Sequence, residues 1–329
     1  MKKQILEVLR EHKDTFVSGE DLSKKIGVSR TAVWKHMKQL KEDGYQIESV
    51  SRKGYHLVKE GDTLDPNVLE VDLKNEYIGK KIYHFESVDS TNNVAKKMAH
   101  EGAIEGTVVI AEEQTKGRGR LGREWLSPKG DGIWMSIILR PEISPSEAMI
   151  ITQVTAAAIT LAMRKILHED IGIKWPNDIV LHKKKVCGIL TEMSAELDSM
   201  NFIVVGMGVN ANVDIEDFPE EVKDKAISMK TYFGEAVSRK DLTMQILHEF
   251  EALYSDFAKN GDIKKTIDIC KKYSVTLGKR VKIISRQKEI EAEAIDLTKD
   301  GQLLIRHDNG EIEEVLSGEV SVRGLYEYV

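Results

Sequence analysis

The chain has 329 residues, 48 Lys/Arg against 54 Asp/Glu for a net charge of −6, and 41% apolar residues. This ordinary globular composition excludes the disordered and fibrous classes, and the length suffices for two or three domains with a sizeable core. No apolar run approaches the ~20 residues of a membrane-spanning helix, and Glu7, Arg10, Glu11 and Lys13 stand where a signal peptide needs an apolar stretch, so no membrane partner is expected.

The first predicted helix covers residues 2–12, with Ile5, Leu6, Val8 and Leu9 on one side. A second runs over Gly19–Lys25 behind Ser18 as a cap, and Gly27 suits a tight interhelical turn. Ser29 caps a third helix reaching about Lys41, whose stripe Val33, Met37 and Leu40 leaves Arg30, Thr31, Trp34, Lys35 and Lys38 facing outward. Two β-prone runs, Tyr45–Val50 and Gly54–Val58, flank Ser51-Arg52-Lys53, a hairpin with a basic tip. Residues 1–65 carry 13 Lys/Arg against 11 Asp/Glu, while the remainder carries 35 against 43, which polarises the chain. A basic helix alone is equally a solvated face. Three helices, a turn glycine and a basic wing in this order predict a winged helix-turn-helix that puts Ser29–Lys38 into a major groove of DNA, with Ser18, Arg52 and Lys53 as further contacts.

The head is expected to end at residue 62, before a linker around Glu60–Pro66, with a central domain over 66–273 and a small β-barrel over 274–329. Strands are predicted at Lys81–Val88, Thr107–Ala111, Gly132–Leu139, Ile171–Trp175, Ile179–Leu181, Val186–Met193 and Phe202–Asn210. Helices are predicted at Ser90–His100, Ser144–Leu167 and Arg239–Asn260. This order gives an α+β sheet covered on one face. From Ser274 the pattern changes to short strands at Arg280–Ile284, Glu289–Asp296, Leu303–Arg306, Ile312–Leu316 and Glu319–Val322, with hairpin turns at Asp300-Gly301 and Asn309-Gly310. The two cysteines, Cys187 and Cys270, lie far apart and outside any metal spacing, as small hydrophobes in a reducing cytoplasm.

Four clusters carry chemistry. In Gly117-Arg118-Gly119-Arg120-Leu121-Gly122-Arg123, glycines let backbone amides approach an anion and arginines supply paired donors to phosphate or carboxylate. The P-loop ending is missing, and a basic RNA-binding loop is the plainer alternative. Lys174-Trp175-Pro176-Asn177-Asp178 displays polar side chains at a strand end, or is simply a turn. One of Lys183, Lys184 and Lys185, just before the strand carrying Gly188, could turn over an anion, although a surface hairpin fits Lys183 and Lys184 better. Ser90-Thr91-Asn92 opens a helix as a plain cap or as the polar end of a small pocket, and Gly206-Met207-Gly208-Val209-Asn210 lets a ligand lie on backbone. There is no Ser-His-Asp set, no carboxylate pair and no metal cluster. The chemistry that fits is electrostatic: gathering a carboxylate and a polyphosphate and stabilising the charge between them.

In this order the motifs resemble those of the bifunctional biotin–protein ligases that double as biotin operon repressors. The likeness spans nearly the whole chain: winged head, Ser-Thr-Asn, Gly-Arg-Gly-Arg-x-Gly-Arg, Lys-Trp-Pro-Asn-Asp, Lys-x-x-Gly-Ile-Leu and Gly-x-Gly-x-Asn. Leu121 replaces a further basic residue present in some members. The resemblance implies a central domain with a mixed sheet like that of class II synthetases and an SH3-like terminal barrel. It implies ATP, Mg²⁺ and biotin as ligands, with biotinyl-5'-AMP as intermediate and a lysine of a biotin carboxyl carrier domain as acceptor. Ser90, Thr91, Asn92, Gln114 and Gly188 would hold biotin; Arg118, Gly119 and Arg120 would close over its carboxylate and the adenylate. Lys185 would stabilise charge on the carboxylate or α-phosphate, and Arg123, Trp125, Asn177, Asn210 and Arg323 would surround the nucleotide. Lys174 and Asp178 would support the phosphates, Asp178 ordering either Mg²⁺ or Lys174. The resemblance also implies an adenylate-bound homodimer on operator DNA of biotin genes. The competing expectations are a biotin-sensing repressor without catalysis and a lipoate-type ligase.

Overall fold

The computed structural model describes residues 1–42, 44–196, 199–284, 289–317, 320–324 and 328. Two units emerge, Met1–Lys74 with Ser238–Lys240, and Asn75–Val237 with Asp241–Val329.

In the first unit, α1 (Lys2–Glu11), α2 (Gly19–Ile26) and α3 (Arg30–Glu42) bury the expected stripes. The Ser18 hydroxyl accepts from the Asp21 amide, and Gly27, at φ 74°, ends α2 in the left-handed conformation. Strands β1 (Gln46–Val50) and β2 (Gly54–Lys59) pair antiparallel as the wing. Gly54 is required there: its φ is 110°, and a Cβ would stand 2.0 Å from the Val17 carbonyl oxygen. A further helix, α4 (Pro66–Asp72), packs on α1, and its Val68 joins the head core. The expected boundary at residues 62–66 therefore falls inside this unit, which runs on to Lys74.

In the second unit, β3 (Ile82–Phe85), β4 (Val108–Ala111), β5 (Ile133–Leu139), β6 (Ile171–Lys174), β7 (Asp178–Leu181), β8 (Lys184–Glu196) and β9 (Ser199–Val209) form one sheet. Its order is β3-β4-β5-β9-β8-β7-β6, and only β3 and β4 run parallel. Neighbouring residues on a strand point to opposite faces. On β8, Glu192 meets Asn92 of α5 (Thr91–His100), whereas Thr191 bonds Thr152 of α6 (Met149–Leu167) at 2.8 Å. Helices thus lie on both faces, which corrects the expectation of a sheet covered on one. The α5 face carries the chemistry, because Gly188, Gly206 and Gly208 occupy it on β8 and β9.

The stretch Pro145–Leu167 is 23 residues long and apolar enough to cross a membrane, which corrects the expectation that no run approaches that length. Its apolar surface is used inside the protein: α6 packs on β6, β7, β8 and β9 and on α10 (Lys264–Lys272), with Ile151, Val154, Ile159 and Met163 buried. Helix α9 (Arg239–Asn260) fixes the entry to β3: Glu251 accepts from the amides of Glu76, Tyr77 and Ile78 at 2.6, 2.9 and 2.7 Å. Helices α4 and α10 and the short α7 (Glu220–Lys223) and α8 (Met229–Phe233) are not among the predicted elements. Strands β10 (Arg280–Ile284), β11 (Glu289–Leu297), β12 (Leu303–Arg306), β13 (Ile312–Val315) and β14 (Ser321–Gly324) form an antiparallel sheet in the order β13-β12-β11-β10-β14. Gly301 and Gly310 make its turns at φ 83° and 86°. Glu319, the expected start of the last strand, lies outside the described residues.

Candidate functional site

Two differently charged regions adjoin on the glycine-bearing face of the sheet. The first is lined by uncharged polar side chains. At the start of α5, Ser90, Thr91 and Asn92 are buried, and the single hydroxyl proton of Ser136 on β5 is shared between Thr91 Oγ1 at 2.8 Å and Asn92 Oδ1 at 2.7 Å. Gln114 Oε1 accepts from the Thr91 amide at 2.8 Å, and its Nε2 donates to Ser127 Oγ at 2.9 Å. The Ser90 hydroxyl makes no cap bond. Sequence reasoning missed Ser136, although its signal was available: it is the lone polar residue of an otherwise apolar strand.

The second region is cationic and centred on Asp178. Of the three neighbouring lysines, Lys185 is the one turned inward, with Nζ 2.5 Å from Asp178 Oδ1 and 5.0 Å from the Trp125 ring. Lys183 is exposed, and Lys184 reaches the Lys223 carbonyl at 3.4 Å. Tyr328 donates to Asp178 Oδ2 at 2.6 Å, and the Lys174 ammonium lies 3.4 Å from the centre of the Tyr328 ring. Burial works against the Asp178 charge, but Lys185 and Tyr328 outweigh it and hold the carboxyl below its ordinary range. Lys174 is buried, and burial lowers its pKa to about 8, with the charges of Lys185, Arg323 and Arg123 pushing the same way. Several cations thus share one carboxylate, a local excess of positive charge suited to a polyanion. Tyr328 had no legible signal in the sequence, because only the fold brings the penultimate residue to β7.

The glycine–arginine loop folds as a small hairpin. Gly119 N donates to Arg123 O at 2.7 Å, Trp125 N donates to Gly117 O at 2.9 Å, and a short turn over Arg120–Gly122 places Leu121 at φ 58°. Its arginines diverge. Arg120 turns in, donating to Asn177 Oδ1 at 3.0 Å, to the Val320 carbonyl at 3.0 Å and to the Ser317 carbonyl. Arg118 is exposed and donates to Asn93 Oδ1, and Arg123 is exposed. Trp125 lies over the glycine floor: Cβ atoms at Gly188 and Gly208 would stand 3.0 and 2.4 Å from its ring. Its buried indole N–H has no hydrogen-bond partner among the described residues.

The remaining expected residues lie as follows. Asn177 donates to the Ile189 carbonyl at 2.9 Å, and Asn210 is buried with its amide 3.3 Å from the Ile227 carbonyl. Arg323 is exposed on β14 opposite Lys282. No group of three or more His, Cys, Asp or Glu side chains with metal-binding geometry occurs among the described residues. Cys187 and Cys270 are buried thiols whose pKa values burial raises, Cys270 to about 12. A cavity of about 430 Å³ along β6 and β7, lined by Glu169, Asp170, His182, Tyr232, Lys272 and others, includes Lys183 but no other residue expected at the site.

In the head, Arg30, Thr31, Trp34, Lys35 and Lys38 are exposed along α3, as are Arg52 and Lys53 at the wing tip. Trp34 is 60% exposed, unusual for tryptophan without a partner surface. Lys38 lies 3.7 Å from Glu42, an exposed pair that screens it little. The two serines are engaged in capping: Ser29 Oγ accepts from the Ala32 amide at 3.2 Å, and the Ser18 hydroxyl donates to Asp21 at 2.7 Å.

Comparison with known proteins covers all three regions. Residues 84–210 match the biotin/lipoate A/B protein ligase family, residues 2–56 an HTH domain, and residues 276–323 the biotin protein ligase C-terminal domain. The chain is 35% identical over 322 residues to the bifunctional ligase/repressor BirA of Bacillus subtilis, covering 98% of each chain. It is 30% identical to the protein of the same name from Escherichia coli, covering 94% of this chain and 93% of that one. Among solved structures, the biotin protein ligase of Aquifex aeolicus in complex with biotin and ATP aligns with a TM-score of 0.65 at 31% identity, over 74% of this chain and 99% of that one.

Proposed function

This chain belongs to the BirA family of bifunctional ligase/repressors, and from that premise we propose that it activates biotin with ATP, transfers it to a carrier lysine, and represses transcription through its head. The observation that carries the reading is the adjacency of a neutral polar subsite and a cationic one on one glycine-lined sheet face. The biotin ring system lies over Gly188, beside Thr91 and the Asn92 amide that covers Gly206, with its carboxylate pointing to Lys185. The carboxylate oxygen attacks the α-phosphorus of ATP, the bond to pyrophosphate breaks, and biotinyl-5'-AMP remains. A carrier lysine then attacks the acyl carbon and AMP leaves. Lys185, Arg120 and Lys174 offset repulsion between carboxylate and phosphates and stabilise the charge that develops at phosphorus. Asn177, Asn210, Trp125, Arg123 and Arg323 form the nucleotide surroundings. Among the described residues Asp178 is the one carboxylate in the cluster; its Oδ2 accepts from Tyr328, and its Oδ1 is in an ion pair with the Lys185 ammonium. That fits a Mg²⁺ carried mainly by phosphate and water, which Asp178 would help hold and which would screen phosphate charge.

Arg120 anchors the loop, so Arg120→Ala is expected to release free biotinyl-5'-AMP about tenfold faster, measured by chase of labelled adenylate. ATP affinity is expected to fall as pH rises from 7 to 9. Lys174, with its pKa near 8, loses its proton over that window, and phosphate favours the charged form. Calorimetric titration checks this, and Lys174→Gln should bind ATP more weakly with a flat profile.

One helix-turn-helix reads few base pairs, so operator binding calls for a homodimer, and the adenylate promotes it by favouring the dimer-competent state. The decisive assay combines protein, ATP, labelled biotin and a carrier domain. Absence of transfer would leave the biotin-sensing repressor, and transfer of lipoate in place of biotin would favour the lipoate-type ligase. Mobility shift on operator DNA with and without biotinyl-5'-AMP tests the repressor half.

A further inference from the structure

Glu192 is a half-buried carboxylate on β8 that none of the recognised motifs contains. It joins three elements. Its Oε2 accepts from Asn92 Nδ2 at 2.8 Å, its Oε1 accepts from Lys96 Nζ at 2.8 Å, and the Arg118 guanidinium lies 3.8 Å from Oε1. Burial disfavours its charge, but Lys96 and Asn92 together hold the carboxyl below its usual range. Asn92 Nδ2 also reaches the Leu190 carbonyl at 3.2 Å, while Asn92 Oδ1 accepts from Ser136 and lies over Gly206.

An ionised carboxylate only accepts hydrogen bonds, so it admits only the NH₂ edge of Asn92. The carbonyl edge is thereby held over Gly206 beside Ser136, with one lone pair left to receive an N–H from a ligand. A cyclic urea such as the head of biotin has such a donor; the dithiolane of lipoate has none. The same carboxylate attracts Arg118 at the base of the glycine–arginine loop. Filling of the neutral subsite and ordering of the loop therefore share one side chain.

We infer that Glu192 is a positioning residue with two roles: it fixes Asn92 as an acceptor, selecting a head group with an N–H, and it tethers Arg118, coupling that subsite to the loop. The inference rests on the biotin-ligase reading of the site.

The test uses the full chain and two variants, Glu192→Ala and Glu192→Gln, with biotin affinity by calorimetry and dissociation of labelled biotinyl-5'-AMP measured separately. Glu192→Gln removes the charge and still offers Asn92 an acceptor, while the Leu190 carbonyl, which can only accept, keeps the NH₂ edge in place. Its biotin Kd should stay within about twofold of the parent while the adenylate leaves roughly fivefold faster. Glu192→Ala should weaken biotin about tenfold and speed adenylate loss equally. In a double-mutant cycle, Arg118→Gln should add little to adenylate loss once Glu192→Gln is present. Additive effects in that cycle, or equal biotin loss in both variants, would overturn the inference. A parent protein that binds no biotin would instead remove the reading beneath it, so the two failures are distinct.

Discussion

Lys185→Ala is expected to lower biotinyl-5'-AMP formation by roughly 10²–10³-fold, the scale seen when one preorganised charge donor is removed from a transition state. Lys185 opposes Val180 on β7, beside a register shift between Ile179 and Val180. Its ammonium is confined between Asp178 and the Trp125 ring, with its tip 3.1 Å from where a Cβ of Gly188 would stand. No other lysine of the hairpin can substitute, since Lys183 faces solvent and Lys184 reaches a carbonyl elsewhere. Deletion also takes away the charge that most lowers the Asp178 carboxyl, which will then bind a proton more readily. The rate is read from pyrophosphate release and fold integrity from a thermal melt. An unchanged rate in a folded variant would remove Lys185 from the reaction.

The second large effect is steric. Gly206→Ala should weaken biotin binding by about 10²–10³-fold, or roughly 3–4 kcal/mol at 1.4 kcal/mol per factor of ten. The added Cβ would stand 2.2 Å from Asn92 Oδ1, a distance no real contact allows. Asn92 cannot simply rotate away, because Ser136, Leu190 and Glu192 all bond it. The methyl therefore either expels the amide from the floor or spreads β9 from α5, and both destroy the neutral subsite. ATP affinity should change by no more than about twofold, since the cationic cluster lies on the end of β6, the start of β7 and the first residues of β8. Parallel calorimetry with biotin and with ATP separates the two, and a retained biotin affinity would refute the placement.

Much of this was legible because the local signals were strong. The α3 stripe Val33, Met37, Leu40 and the Ser18 and Ser29 caps carry their structure in a few adjacent residues. The glycine–arginine loop is legible as an anion-binding composition, but nothing in it distinguishes Arg118 from Arg120; the separation comes from Asn177, Ser317 and Val320, distant in sequence. Helix α10 went unread because its nine residues bury only Thr266, Ile267 and Cys270 among four lysines, too short a stripe for a periodicity to register. The expected single covered face failed for a related reason. A strand pattern shows that residues alternate, and only contacts such as Thr152 with Thr191 show which helix meets which side.

Trp125 rests on Gly188, the part of the floor that the biotin ring is proposed to occupy. For the biotin ring to reach Gly188, the indole must first move off it. Binding then proceeds in two kinetic steps, vacating of the floor followed by capture. The observed association rate should level off at high biotin concentration instead of rising linearly. The same indole changes its surroundings as it moves, so tryptophan emission should change as the floor fills, above the constant signal of Trp34, Trp134 and Trp175.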